Sequence, residues 1–113
     1  MTQIFVYGTL KDEQVRKMVL GYETGAEFDV LEDYKVVPHS VFLRYPTIEK
    51  AKGEGTDGYV FEVQDESIPK LDRYESGLYK KIEVKLQSGT IALAYIENKD
   101  LSEWFVCPLH TEY

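Results

Sequence analysis

Residues 79–96 read YKKIEVKLQSGTIALAYI and decide the class of fold. Apolar and charged side chains alternate over residues 79–86, which is the period of a β-strand with one buried face. Residues 87–89, Gln-Ser-Gly, have the composition of a tight turn, and residues 90–96 read as the returning strand. The stretch therefore predicts an antiparallel β-hairpin.

Outward from this hairpin, strands mostly follow strands. Further strands are predicted at residues 4–7, 26–31, 34–43 and 59–63. Pro38 places the third of these at an edge or a bend of the sheet, because proline cannot donate a backbone hydrogen bond. Three glycines make residues 52–58 a turn-rich loop in this interpretation. Together these elements predict a mostly antiparallel sheet of six or seven strands, curled into a small barrel.

Two short helices complete the predicted α+β fold. The first covers residues 12–20, where apolar side chains recur at helical spacing before Gly21. The second runs from about Ser67, a potential cap, to about Glu75. Pro69 falls in its first turn, where the missing backbone N–H costs least.

Composition limits the classes of protein to which the chain can belong. Its 113 residues suit one domain over 1–113, and the 43% of hydrophobic residues suffice for a core. A net charge of −7 disfavours nucleic acid as a partner. The N-terminus lacks the pattern of a signal peptide, and no stretch has the ~18 apolar residues of a membrane span. We expect a soluble cytoplasmic protein without membrane partners.

The tail and the nine tyrosines each allow two interpretations. Cys107 and His110 are three residues apart, but no second Cys or His pair supports a metal site, so a partly buried thiol is favoured. The run Trp104-Phe105-Val106 is predicted to close one end of the barrel. Tyrosine is common in half-buried strands, which is the simpler explanation of the count. The alternative is a pocket lined by phenols.

One candidate site follows the first strand, in the sequence Phe5-Val6-Tyr7-Gly8-Thr9-Leu10. A strand that ends in Gly-Thr before a helix exposes backbone N–H groups that can bind a carboxylate or an oxyanion. An ordinary strand-to-helix turn explains the same residues and is favoured on the residues alone. The spacing is not that of a Walker loop, because Lys11 follows a single glycine.

A second candidate site is the carboxylate in the apolar stripe of the second helix. At helical spacing the stripe contains Ile68, Leu71, Glu75 and Leu78. If the helix packs by this stripe, Glu75 faces the core or a cleft, and desolvation raises its pKa toward a value suited to acid–base catalysis. A stripe through Leu71, Tyr74 and Leu78 would leave Glu75 at the rim instead. Periodicity does not decide between the two.

Three motifs together resemble the gamma-glutamylcyclotransferase-like family, also called AIG2-like. They are FVYGTL at residues 5–10, Tyr45-Pro46, and LDRYESGLYKK at residues 71–81. Their order and spacing match over residues 4 to about 95. The resemblance implies a small mixed β-barrel with flanking helices and a pocket whose floor is the YGTL loop.

The resemblance also implies roles for individual residues. Glu75 would be the catalytic acid–base, and the backbone of the loop would hold the glutamyl end of the substrate. The implied substrate-binding residues are Tyr7, Gly8, Thr9, Leu10, Tyr45 and Tyr79. Ser76, Lys81 and the Asp57-Gly58 pair depart from the family's usual residues, which leaves the particular gamma-glutamyl compound open.

The implied activity is that of an acyltransferase or amine lyase acting on a small gamma-glutamyl compound. The substrate's α-amine attacks its own γ-carbonyl, and 5-oxoproline and an amine are released. Glu75 and the loop suffice for this chemistry, so no metal or other cofactor is expected. The alternative function is a non-catalytic binding or interaction module that keeps the family pocket.

Overall fold

The computed structural model of the protein describes residues 1–41, 45–75 and 78–97. The predicted plug at Trp104-Phe105-Val106 and the Cys107–His110 pair lie outside these residues. The five strands are β1 (Thr2–Val6), β2 (Glu27–Val41), β3 (Tyr45–Val63), β4 (Tyr79–Lys85) and β5 (Ile91–Glu97). The two α-helices are α1 (Glu13–Leu20) and α2 (Ile68–Glu75), and short 3-10 turns at Thr9–Lys11 and Asp65–Ser67 precede them.

The strands form one mixed sheet in the order β2-β3-β1-β5-β4. The pairs β1–β3, β2–β3 and β4–β5 are antiparallel, whereas β1 and β5 run parallel. The Glu97 backbone N–H donates to the Thr47 hydroxyl at 2.8 Å. This bond joins β5 to β3, which are not neighbours in the sheet, so the sheet curls into a half-barrel beyond the end of β1. The predicted fold class is confirmed.

The division of the sheet into strands differs from the prediction. Residues 27–41 form one strand rather than two, and the predicted loop at residues 52–58 lies inside β3. Asp33 and Gly53 have positive φ angles of 65° and 86°, and the Gly53 N–H donates to the Asp33 carboxylate at 3.0 Å. They form an irregularity in the β2–β3 ladder, which resumes at Tyr34. The glycines therefore serve strand geometry and not a loop.

Gly58 shows a second reason for a glycine inside a strand. A Cβ atom at this position would lie 2.3 Å from the carbonyl oxygen of Val6 and 2.7 Å from the ring of Phe5. Gly58 pairs with Asp29 of β2, and Tyr59 beside it pairs with Val6. A side chain would thus separate β3 from β1 where the two strands meet.

Both helices occupy the predicted positions. The Asp12 carboxylate accepts the Gln14 N–H at 2.8 Å at the start of α1, and Gly21 ends that helix with a φ of 86°. Pro69 lies in the first turn of α2. Ser67 lies in the 3-10 turn before α2, where its hydroxyl and that of Tyr22 are 2.8 Å apart. No helix within the described ranges has the length and apolarity needed to cross a bilayer.

The curled sheet separates two groups of buried side chains. On β1, Ile4 and Val6 pack with the helices through Leu20 and Leu71, whereas Phe5 points to the opposite face. Phe5 packs there with a group that includes Leu31, Ile48, Val60 and Val84. Strand β1 is therefore buried on both faces, as its uninterrupted apolar run suits.

The close approach at Gly58 yields a test of the fold. Replacing Gly58 by Ala should lower the free energy of unfolding by about 2 kcal/mol or more, because the new methyl group displaces the Val6 backbone. Gly25→Ala is the matched control, since a Cβ atom at that position would meet no neighbour within 4 Å. We expect the control to stay within about 0.5 kcal/mol of wild type in denaturant unfolding. Equal stability of both variants would contradict the packing of β3 against β1.

Candidate active site

A cavity of about 610 Å³ lies where β1 ends. Six of the seven predicted site residues line it, namely Tyr7, Gly8, Thr9, Leu10, Glu75 and Tyr79. The seventh, Tyr45, has a side chain outside the described part of the structure, although its neighbour Pro46 lines the cavity. Phe5, Val6, Lys11, Tyr74, Leu78 and Tyr95 complete the wall. The strand–loop motif and the helix motif therefore meet at one cavity, and the roles of these residues in binding and catalysis stay predictions.

The loop after β1 forms a 3-10 turn at Thr9–Lys11, and its residues line this cavity. Its internal hydrogen bonds run from the Lys11 N–H to the Gly8 carbonyl and from the Asp12 N–H to the Thr9 carbonyl, both at 3.1 Å. The first N–H groups of such a turn have no acceptor within the turn itself. The residues that carry them, Gly8, Thr9 and Leu10, all line the cavity.

Arg16 of α1 holds the loop from behind and was not singled out by the sequence. Its guanidinium donates to the carbonyls of Leu10 at 3.1 Å and Lys11 at 2.9 Å. Arg16 is buried, and its charged group also lies 5.5 Å from the centre of the Phe61 ring. The two loop carbonyls are thereby tied to α1, which fixes the orientation of the turn.

Glu75 is the last residue of α2, and it faces the cavity. Leu71, one turn earlier, is completely buried, and Ile68 packs against the same core, whereas Tyr74 remains 40% exposed. The apolar stripe that contains Glu75 is therefore the buried one. Burial raises the pKa of the Glu75 carboxyl to about 7. Near neutral pH this group can both accept and release a proton.

Among the tyrosines whose side chains the structure describes, four line the cavity: Tyr7, Tyr74, Tyr79 and Tyr95. Tyr7 donates its hydroxyl proton to the Tyr95 carbonyl at 2.6 Å, and Tyr79 donates to the Pro46 carbonyl at 2.7 Å. Burial is the largest cause that raises the pKa of the Tyr7 and Tyr95 phenols far above the ordinary tyrosine value. Both phenols therefore stay neutral at physiological pH. The interpretation of the tyrosines as pocket residues holds for these four.

Asp72, one turn before Glu75 on α2, has the opposite electrostatic environment. Desolvation raises its pKa, but hydrogen bonds from Tyr95 and Lys81, at 2.7 Å and 3.0 Å, outweigh that effect and leave it below the usual value. Asp72 is therefore ionised over the pH range in which Glu75 titrates. Two carboxyl groups whose environments push their pKa values apart are typical of a site with divided acid–base roles.

A hydrogen bond joins two residues of the cavity wall. The hydroxyls of Thr9, on the loop, and Tyr74, on α2, are 2.6 Å apart, and both side chains are exposed. Lys11 is exposed beside them and brings a positive charge to the cavity wall. The described residues contain no group of three or more His, Cys, Asp or Glu side chains placed to hold a metal ion.

Comparison with known proteins finds one matching family model and solved structures with a similar fold. The model of the family described as "Gamma-glutamyl cyclotransferase, AIG2-like" matches residues 4–108. The solution structure of At3g28950.1 from Arabidopsis thaliana is similar with a TM-score of 0.75 and 22% identity, over 96% of this chain and 74% of that one. No curated protein matches the chain.

Two further solved structures share the fold. A gamma-glutamyl cyclotransferase is similar with a TM-score of 0.75 and 20% identity, and the alignment covers 86% of this chain and 66% of that one. The uncharacterized protein PH0828 from Pyrococcus horikoshii is similar with a TM-score of 0.62 and 25% identity over the whole of both chains. The chain thus spans about two thirds of the cyclotransferase and the full length of the archaeal protein.

The raised pKa of Glu75 predicts a pH dependence of stability. The folded-state value of about 7 lies above the value of 4.5 expected for an exposed glutamate, so the native state binds the proton more tightly than the unfolded chain. The contribution of Glu75 to the free energy of unfolding is therefore most favourable below pH 4.5. It decreases between pH 4.5 and 7, by an amount on the order of 1–3 kcal/mol.

Denaturant unfolding of wild type and Glu75→Gln across this window isolates the effect, because all other titrating groups are common to both proteins. We expect Glu75→Gln to be the more stable of the two at pH 8, and the difference to shrink toward pH 4.5. A stability difference that does not change with pH would show that Glu75 titrates as an ordinary exposed carboxylate.

Proposed function

The chain belongs to the gamma-glutamyl cyclotransferase, AIG2-like family, and we propose that it cyclises a gamma-glutamyl amide to 5-oxoproline with release of an amine. The observation that carries the proposal is the position of Glu75. This carboxyl, with a pKa near 7, lines the same cavity as the Gly8-Thr9-Leu10 loop. A proton acceptor and a set of backbone donors are the two parts that the reaction needs.

The proton balance of the reaction fits a single carboxylate. The substrate's α-ammonium has three hydrogens, and the ring nitrogen of 5-oxoproline keeps one of them. Glu75 takes one proton, the free amine attacks the γ-carbonyl carbon, and a new C–N bond closes the five-membered ring. The second proton passes through the same carboxylate as the original C–N bond breaks. The leaving amine collects both protons and departs as an ammonium, so no net proton exchange with solvent is required.

The loop supplies the binding of the glutamyl end in this proposal. Backbone N–H groups of Gly8, Thr9 and Leu10 face an anionic substrate group or the oxyanion that develops during attack. Lys11 adds a positive charge at the cavity wall, which locally favours an anionic group of the ligand. A cavity of about 610 Å³ is of the size that takes a small-molecule ligand.

The second candidate function is a binding module that retains the pocket without turnover. The environment of Glu75 argues against it, because desolvation raises the pKa of its carboxyl to about 7, a value that suits proton transfer and that binding alone does not need. A screen of gamma-glutamyl dipeptides, gamma-glutamyl amines and epsilon-(gamma-glutamyl)lysine separates the two functions. Thermal stabilisation together with release of 5-oxoproline supports the enzyme, whereas stabilisation without product supports the binding module.

The decisive variant is Glu75→Gln. Glutamine keeps the size of the side chain but cannot accept the ammonium proton, so kcat should fall by about 10²–10⁴ while ligand binding persists. In wild type, kcat/KM should rise with pH through about 7, because only the ionised carboxylate of Glu75 can act as the base. Both are measured as 5-oxoproline release from a compound that the wild-type protein cyclises.

Glu83→Gln is the matched control, since Glu83 is an exposed carboxylate on β4 outside the cavity wall. We expect its rate to stay within about twofold of wild type. A wild-type rate in Glu75→Gln would exclude Glu75 as the base. Loss of the folded state in that variant would instead assign Glu75 a structural role.

A further inference from the structure

Tyr95 lines the cavity, and the proton of its hydroxyl is already engaged in a hydrogen bond. Its hydroxyl donates to the Asp72 carboxylate at 2.7 Å, and the residue is 4% exposed while it lines the cavity. A phenol has a single proton, so a hydroxyl that donates to Asp72 can only accept a hydrogen bond from a ligand. Neither Tyr95 nor Asp72 belongs to the set of site residues predicted from the sequence.

Lys81 helps to keep the Asp72 carboxyl in its ionised form. Its ammonium lies 3.0 Å from the second oxygen of the Asp72 carboxylate. Because Asp72 remains ionised, it accepts the hydrogen bond from the Tyr95 hydroxyl and has no proton to donate in return. The direction of the Tyr95–Asp72 hydrogen bond is therefore fixed, and the acceptor character of the Tyr95 oxygen is fixed with it.

Glu75 supplies a second acceptor in the same cavity. After burial and the Asp72 contact, the negative charge of Glu75 is a further cause that raises the pKa of Tyr95, so the two groups are within electrostatic reach. We propose that the Tyr95 oxygen, fixed as an acceptor by Asp72, and the Glu75 carboxylate together bind the α-ammonium of the substrate. This inference rests on the proposed function and specifies which end of the glutamyl group faces α2.

An ammonium is the group that satisfies both acceptors at once. It has three donors and a positive charge, so it can donate to Glu75 and to Tyr95 together. A carboxylate or carbonyl in the same place would bring lone pairs against lone pairs. The anionic end of the substrate is then left to the loop and Lys11, which also line the cavity.

Tyr95 also gains a role in the chemistry of the bound amine. Once Glu75 has taken one proton, the amine keeps two N–H bonds and one lone pair. A hydrogen bond from one N–H to the Tyr95 oxygen restricts the rotation of the amine and so restricts the direction of its lone pair. Tyr95 is thus a substrate-binding residue, and Asp72 is a positioning residue that acts through it.

The test compares two ligands that differ only in the ammonium group. L-glutamine has it, and glutaramate is the same molecule with hydrogen in its place. Both are titrated by NMR into wild type, Tyr95→Phe and Asp72→Leu at about pH 8, above the pKa of Glu75, where its carboxyl is ionised. We expect wild type to prefer L-glutamine by about tenfold or more, and each variant to reduce this preference to about threefold or less.

The matched control is Glu83→Gln, an exposed carboxylate on β4 that does not line the cavity. Its ligand preference should stay within about twofold of wild type. Tyr95→Phe and Asp72→Leu remove opposite ends of the same hydrogen bond, so agreement between them separates the proposal from damage by one substitution. Thermal unfolding checks that each variant is folded.

The outcomes separate this inference from the proposed function. If wild type releases 5-oxoproline but Tyr95→Phe and Asp72→Leu keep the preference for L-glutamine, the ammonium site is refuted and the enzyme stands. If wild type releases no product from any compound in the screen, yet both variants lose the preference, the ammonium site stands without the cyclisation. Equal affinity of wild type for the two ligands would overturn the inference.

Discussion

The burial of β1 on both faces is the constraint on which the rest of the structure depends. Ile4 and Phe5 are completely buried in opposite directions, so partners must cover the strand on either face. Strands β3 and β5 occupy its two edges, the former antiparallel and the latter parallel. Because both faces and both edges of β1 are covered, the strand is open only at its end. The turn that follows there, at Gly8, lines the cavity.

The same packing sets the chemistry of α2. Leu71 is buried under the sheet, which carries Glu75 to the cavity one turn later and partly shields its carboxyl from water. Asp72 lies on the side of the helix where Tyr95 and Lys81 can reach it. One short helix therefore holds two carboxyl groups whose pKa values move in opposite directions, because one is desolvated and the other is hydrogen-bonded as an anion.

The fold was predictable wherever the signal was local. The hairpin of β4 and β5 follows from alternation around a turn, and α1 follows from its apolar spacing between Asp12 and Gly21. The glycines of β3 misled the interpretation, because a glycine marks a turn, an irregularity or a close approach with equal ease. Gly53 belongs to the second class and Gly58 to the third, and each depends on a partner strand.

The sequence by itself singled out the motif residues of the candidate site, since Gly8, Thr9 and Glu75 lie in short stretches whose order resembles one family. The sequence left open whether the buried stripe of α2 contains Glu75 or Tyr74, because a period of 3.6 residues allows both. Only the packing of α2 on the core shows that the stripe with Glu75 is the buried one. Tyr95 could not be found in this way. Its hydroxyl meets Asp72 23 positions away, and its carbonyl meets Tyr7 88 positions away. Such contacts exist only after β5 has paired with β1 and α2 has packed on the sheet, so the tertiary structure alone assembles them.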